Sequence, residues 1–359
     1  MAKLNIKYAP SQGLREKINQ AAKEYFASKG KDSRGDYRLF LKTGILAVWA
    51  TTSYLLLVFG AAHWWTAVPL AISLGLAFAG IGFNVGHDGN HGSYARSPFV
   101  NHIMERSYDI LGASSYYWRW KHNTYHHNFT NIHGVDDDIN LGPLCRMTPY
   151  QKLHWHHRYQ HIYMLFLYGF IHIKWVFFDD FNYLISGRLS SYDIPRPKGW
   201  RLAELFLGKI LFVTVMLVVP SFFHPFWLVL LMFLLVSFSL GVTLSVVFQL
   251  AHCTTGATFT TPPEDHEKME MCWASNQLMT TVNFAPKNPL VTWYVGGLNY
   301  QVEHHLFPKV SHCHLPALAG MVEKAAKEYG VCYLTHDTMF GAFKAHMKWL
   351  RKMGQPQTT

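Results

Sequence analysis

The chain has 359 residues, of which half are hydrophobic and only 15% are charged, against about 25% in soluble globular proteins. That balance argues against two soluble domains, which the length alone would allow, and for one membrane-embedded unit. The formal charge of +10 does not indicate nucleic acid, because Lys and Arg fall between apolar runs and at the chain ends, where an anionic membrane surface accounts for them.

Residues 1–42 are polar and carry ten Lys and Arg; with no short apolar core before a small-residue cleavage site, no cleaved signal is expected. Apolar runs at 43–62 and 64–85 read as a first transmembrane hairpin, and those at 205–223 and 226–250 as a second, each near the ~20 residues that cross a bilayer core. The connecting turns lack Lys and Arg, so the positive-inside rule places both termini and the central segment 86–204 in the cytosol. A fifth apolar run, 162–178, is interrupted by His172 and Lys174 and is read as interfacial. Spanning alone, it would put histidine clusters on opposite sides of the membrane. Residues 187–201 read as a loop, and 251–359 as a further cytosolic part. The expected fold is a single all-α integral membrane domain over 1–359: four transmembrane helices in two hairpins under a cytosolic helical cap that holds a di-metal site.

The five cysteines, Cys145, Cys253, Cys272, Cys313 and Cys332, form no CxxC pair, and a reducing, cytosol-facing context without disulfides is expected. The 22 histidines are far more than packing requires. His87-Asp-Gly-Asn-His91 follows the second apolar run, and its two imidazoles, at i and i+4, project from one helix face and can chelate one metal. In His122-Asn-Thr-Tyr-His126-His127 the first two repeat that spacing, while His127 points about 100° away and can serve a second ion. His252 ends the fourth run, and Gln301-Val-Glu-His304-His305 lies near the C-terminus. Eight imidazoles and a Gln exceed what one octahedral ion uses; two ions can use them.

Taken singly, His63, His102, His224 or His252 reads as an interfacial polar anchor, and His154, His156, His157 and His161 are read the same way; the case for metal rests on the clusters together. Cysteine is absent from every cluster, which argues against a closed structural zinc site. Imidazole also suits copper and zinc. Iron is favoured because a polyhistidine centre at a membrane face implies attack on an unactivated chain, which requires an oxygen-derived oxidant.

HDGNH, HNTYHH and QVEHH, in this order, resemble the three histidine boxes of the membrane fatty acid desaturases. Thr130-Asn-Ile-His-Gly-Val-Asp-Asp-Asp138 and Gly296-Gly-Leu-Asn-Tyr-Gln-Val-Glu-His-His-Leu-Phe-Pro308 resemble the acyl-lipid, front-end (delta-6/delta-5) subgroup. The resemblance implies two iron ions held by His87, His91, His122, His126, His127, His304 and His305, with His252 and Gln301 as further ligands, and O2 as co-substrate. It implies a fatty acyl lipid or acyl-CoA substrate and a bacterial inner membrane or endoplasmic reticulum location. No His-Pro-Gly-Gly haem motif occurs in these residues, so electrons are expected from a separate donor, ferredoxin or cytochrome b5 with its reductase, docking on a basic face that includes Lys121, Arg146, Lys152 and Arg158.

Asp88, Asp136, Asp137, Asp138 and Glu303 are candidates to orient ligand imidazoles, although a solvated loop or cap explains the triple Asp equally. Trp118, Trp120 and Tyr300 are candidates for the acyl entrance, against an interfacial aromatic belt. A hydroxylase, acetylenase or sphingolipid desaturase with the same boxes remains an alternative. A metal or proton transporter is disfavoured, because the four runs hold almost no ionisable residue beyond Lys209 and His252.

Overall fold

The computed structural model describes residues 6–190, 192–263 and 268–356. Lys3 and the last three residues of the polar tail lie outside the described residues.

The chain is mainly helical. Strand β1 (Lys7–Ala9) and α1 (Leu14–Lys29) precede two long apolar helices, α2 (Tyr37–Gly60) and α3 (Trp64–His91). α2 begins ahead of its apolar run because the Asp36 carboxylate accepts from the Arg38 backbone N–H and caps the first turn. α3 continues past its apolar run through a π-turn at Gly82–Gly86 into His87–His91, and Gly92, at φ 67°, ends it in the left-handed conformation that glycine adopts freely. Next come α4 (Pro98–Glu105) and α5, which is α-helical at Ser115–Trp118 and π-helical at Arg119–His126. Three long helices follow: α6 (Trp155–Ser186), α7 (Trp200–Ser221) and α8 (Phe226–His252).

Five helical stretches among the described residues, α2, α3, α6, α7 and α8, are thus long and apolar enough to cross a membrane. The sequence reading counted four; residues 162–178 are embedded in the 32-residue α6. The two polar side chains that interrupt this run have internal partners. His172 Nε2 donates to the Leu111 carbonyl at 2.9 Å, and Lys174 bonds Asp179 at 2.7 Å, so neither ends the helix.

α8 is the central helix. A Cβ on Gly75 of α3 would lie 2.6 Å from the Val236 carbonyl, and one on Gly241 of α8 would lie 2.5 Å from the Gly169 carbonyl of α6. Glycine therefore lets α8 approach both neighbours at backbone distance. Leu41, Ile45 and Val48 of α2 and Ile210 and Leu211 of α7 are exposed, as lipid-facing side chains would be. The end of α2 meets the α7–α8 connection: Phe59 and Phe223 pack edge to face at 4.9 Å, and His224 Nε2 donates to the Val58 carbonyl at 2.6 Å. The histidine-bearing ends of α3 and α8 therefore lie together at the opposite end.

The remaining chain covers that end. β2 (Lys268–Cys272) pairs in parallel with β1, and β3 (Asn283–Phe284) with β4 (Thr335–His336). Between and after them come α9 (Trp273–Thr280), α10 (Pro289–Tyr294), α11 (Gln301–Leu306), α12 (Leu315–Glu328) and α13 (Met339–Met353). α12 packs on α1 through Val322, Ala325 and Ala326 against Leu14 and Ile18. α13 closes over the start of α6, burying Trp349 and Leu350 against Met164 and Cys253.

Candidate metal centre

The ends of α3, α5, α8 and the short α11 converge on one buried cluster. His87, His91, His122 and His304 form one group whose ligand nitrogens all lie within 4.8 Å of one another; His126, His252 and His305 form a second on the same criterion. His122 and His126 share one helix face, as their spacing predicts: their rings stack at 5.2 Å and they form one metal-capable set with Asp138, while each also belongs to a different group of histidines. What departs from the α-helical expectation is His127, because the turn is π-helical. Its i→i+5 bond, from His127 N–H to the His122 carbonyl at 3.1 Å, rotates successive residues less than an α-turn does. His127 is thereby returned over His122, their Nε2 atoms 3.3 Å apart, instead of pointing elsewhere. Its ring lies 4.7 Å from His91 and 4.2 Å from His305, between the two groups.

The second group is braced from outside. His126 Nδ1 donates to Asp136 at 3.0 Å, and Asp136 is itself fixed by the backbone N–H groups of Asn131 and Asp138. His305 Nδ1 meets the Gln277 oxygen at 2.8 Å, and Gln301 Nε2 lies 2.9 Å from His252 Nε2. Asp138 stands 3.5 Å from His126 and 3.8 Å from His122, and Asp88 stands 3.7 Å from His87. Asp88 is held in turn by Ser311 and His312.

Burial pushes His122 down to about 3 and holds His127, His304 and His305 well below the ordinary imidazole range. For His126 burial acts in the same direction, but the Asp136 carboxylate outweighs it and raises the pKa. Neutral imidazoles are the form that ligates metal, and a proton fixed at His126 Nδ1 leaves Nε2 free to do so. The Nε2 atoms of His87, His91, His304 and His305 and the Gln301 oxygen are buried without a hydrogen-bond partner. Each orphaned polar atom costs on the order of 1–3 kcal/mol, a cost that metal ligation removes, so the residues fit a pair of ions.

Several sequence candidates lie elsewhere. Glu303 turns away from the imidazoles, accepting from Asn283 at 2.9 Å and Tyr333 at 2.8 Å, and burial raises it to about 7. Asp137 bonds Tyr183 at 3.1 Å. Trp118 stacks on His122 at 5.0 Å, whereas Trp120 packs on Tyr125, and the Tyr300 hydroxyl donates to the Pro286 carbonyl. His156 and His157 both donate to the Pro143 carbonyl at the start of α6, and belong to no metal-capable group among the described residues. Of the four basic residues expected to form a docking face, Lys121 is tied to Asp138 at 3.0 Å, and Arg146 is buried against the carbonyls of Pro149, Gln151 and Met353. Only Lys152 and Arg158 are exposed. Gln277 was not singled out, because it lies in no histidine motif; a run of Ser275, Asn276 and Gln277 within an otherwise apolar stretch is the one signal for it.

A cavity of about 500 Å³ opens between α6 and α8 and reaches His126 and His252. Met164, Leu167, Trp175 and Phe248 give it apolar walls, and charged side chains of both signs also line it, among them Asp138, Asp179 and the exposed Lys174 and Arg188. Trp118, Trp175 and Phe248 separate it from a narrow space of about 20 Å³ beside His87.

Residues 62–336 match the family model for fatty acid desaturase. The chain is 37% identical to the sn-1 linoleoyl-lipid 6-desaturase of Arthrospira platensis, over 98% of this chain and 96% of that protein. It is 34% identical to the enzyme of the same name from Synechocystis sp., covering 98% of each. It is also 34% identical to the acyl-lipid (8-3)-desaturase of Physcomitrium patens, over 94% of this chain and 71% of that protein. The chain belongs to the fatty acid desaturase family.

Proposed function

We propose that the chain is a front-end acyl-lipid desaturase whose two histidine groups hold two iron ions, and that it places a double bond on the carboxyl side of one already present. The observation that carries this reading is the junction of the centre with an apolar cavity at His126 and His252. The names of the relatives support a lipid-linked acyl chain and a position near the carboxyl end. In the overall reaction two neighbouring methylenes each lose one hydrogen, and with two electrons and two protons from outside O2 becomes two waters. When bound, the irons supply the oxygen activation that an unactivated C–H bond requires.

The protein's own residues do the positioning. The apolar wall of α6 and α8 holds the chain, and the exposed Lys174 and Arg188 retain its polar head at the surface. Trp118, stacked on His122, sets how far the chain advances along the centre. Asp136 keeps the His126 proton at Nδ1 and so fixes the ring's orientation.

The arrangement supports four crossings with both termini cytosolic. His127 and His252 lie in one centre, so the chain crosses an even number of times between them. α7 and α8 account for two crossings, which leaves α6 returning to the side from which it starts.

Expression in a host supplied with linoleate, followed by double-bond localisation in the extracted lipids, tests this. A new double bond at carbon 6 or nearer the carboxyl end, absent with His126→Ala, is the expected outcome. Hydroxy acids in its place would move the assignment to a hydroxylase on the same centre.

A further inference from the structure

Electrons must reach a buried centre whose one opening described so far is the acyl cavity, and two of the four residues of the basic face read from the sequence, Lys121 and Arg146, are consumed by internal bonds. A second pocket, of about 720 Å³, opens on the other side of the centre, between β1, α1, the start of α9 and the end of α11. His127 forms its floor. The Trp273 indole N–H donates to the His127 carbonyl at 3.3 Å, and the Arg15 guanidinium lies 4.6 Å over the Trp273 ring. Arg15 and Lys309 are exposed at the rim, and among the described residues no carboxylate lines the pocket. Exposed Lys7 flanks it, with exposed Glu270 on the paired strand β2; Lys17 is paired with Glu328 at 3.4 Å, and Glu16 is engaged by the Ser11 hydroxyl.

We propose that this pocket is the docking surface for the electron donor, an acidic protein carrying a one-electron centre, and that Trp273 and the His127 main chain form the route inward. The proposal rests on the desaturase reading above. Three observations carry it. The acyl chain already has its own cavity at His126 and His252, so this opening is not needed for substrate. His127 is the one imidazole in contact with members of both groups and also on this surface. Among the described residues the pocket is lined by the cations Arg15 and Lys309 and by no carboxylate, the complement of an acidic partner. Two encounters, each delivering one electron, supply the two that the reaction consumes with one O2 and two protons.

The test uses the iron-loaded, detergent-purified full chain, titrated calorimetrically with a plant-type [2Fe–2S] ferredoxin and, separately, with soluble cytochrome b5. One of the two carriers is expected to bind, and Arg15→Glu with Lys309→Glu should weaken that binding about tenfold or more, as should high salt. Lys152→Glu with Arg158→Glu should leave it unchanged. Trp273→Leu should bind normally but slow reduction by the bound carrier in stopped-flow spectra, with Trp273→Phe restoring most of the rate. All variants should be reduced at the parent rate by dithionite through a small neutral mediator. Binding by neither carrier, binding indifferent to the charge reversal, or an equal loss of mediator-driven reduction would each overturn the proposal. Failure of the parent protein to desaturate with the mediator would instead count against the functional reading, whatever the titrations show.

Discussion

The two histidine groups are built differently. In the group of His126, His252 and His305, Asp136 and Gln277 bond the Nδ1 atoms of His126 and His305 at 3.0 Å and 2.8 Å, and the acyl cavity ends against two of the three rings. In the group of His87, His91, His122 and His304 the nearest carboxylates stand 3.7 Å and 3.8 Å away, and four Nε2 or Nδ1 atoms of His87, His91 and His304 are buried without a partner. One group is ordered by its own polar scaffold before any metal arrives. The other relies on the metal to satisfy and fix its rings. Preorganisation thus lies where the substrate approaches, as expected where a reacting atom must be placed within a fraction of an ångström.

The largest expected effect breaks both groups alike. His91→Ala and His126→Ala should each reduce bound iron by about half, read by elemental analysis, and take desaturation to background in the lipid profile. Full iron occupancy in His91→Ala would mean that the unbraced group is not a metal site. The comparison sharpens with Asp136→Asn, which should lower activity by about 10–100-fold, the usual cost of losing a hydrogen-bonded support of a metal ligand. Gln277→Leu, which frees His305 Nδ1, belongs at the low end of that range, near tenfold.

A stability effect comes next. Gly241→Ala drives a methyl into the Gly169 carbonyl, 2.5 Å away, and should cost on the order of 1–3 kcal/mol in thermal inactivation, with activity per folded molecule kept. The smallest effect is expected from Trp120→Phe and Tyr300→Phe. Neither side chain lines the acyl cavity, so product position and rate should stay within about twofold. A shifted double bond in either would show that the chain follows a different path.

The histidine clusters were legible because ligand spacing and residue type are local properties. HDGNH on the last turn of α3 presents His87 and His91 to one group, as the i, i+4 pattern requires. In HNTYHH the stacked pair His122 and His126 follows the same spacing, but the direction of His127 does not: an α-helical period fails where the backbone is π-helical, and nothing in Arg119–His126 announces that widening. Glu303 shows a different limit. Adjacency to His304 suggested an orienting role, but neighbouring residues on a helix point about 100° apart, and its carboxylate faces Tyr333.

The amino-acid sequence by itself determined the membrane character, the approximate bounds of α2, α3, α7 and α8, the histidine clusters and the family, since each follows from composition, run length or short-range spacing. Tertiary structure decided how the imidazoles divide into two groups, that Gln277 supports His305, and that Lys121 and Arg146 are internal while Arg15 and Lys309 stand at the rim over His127. Those facts depend on contacts between residues distant in the chain, such as Gln277 with His305, 28 positions apart, and Trp273 with His127, 146 apart. Side-chain type does not encode such a pairing; the packing of α1, α9 and α11 over the ends of α3, α5 and α8 creates it.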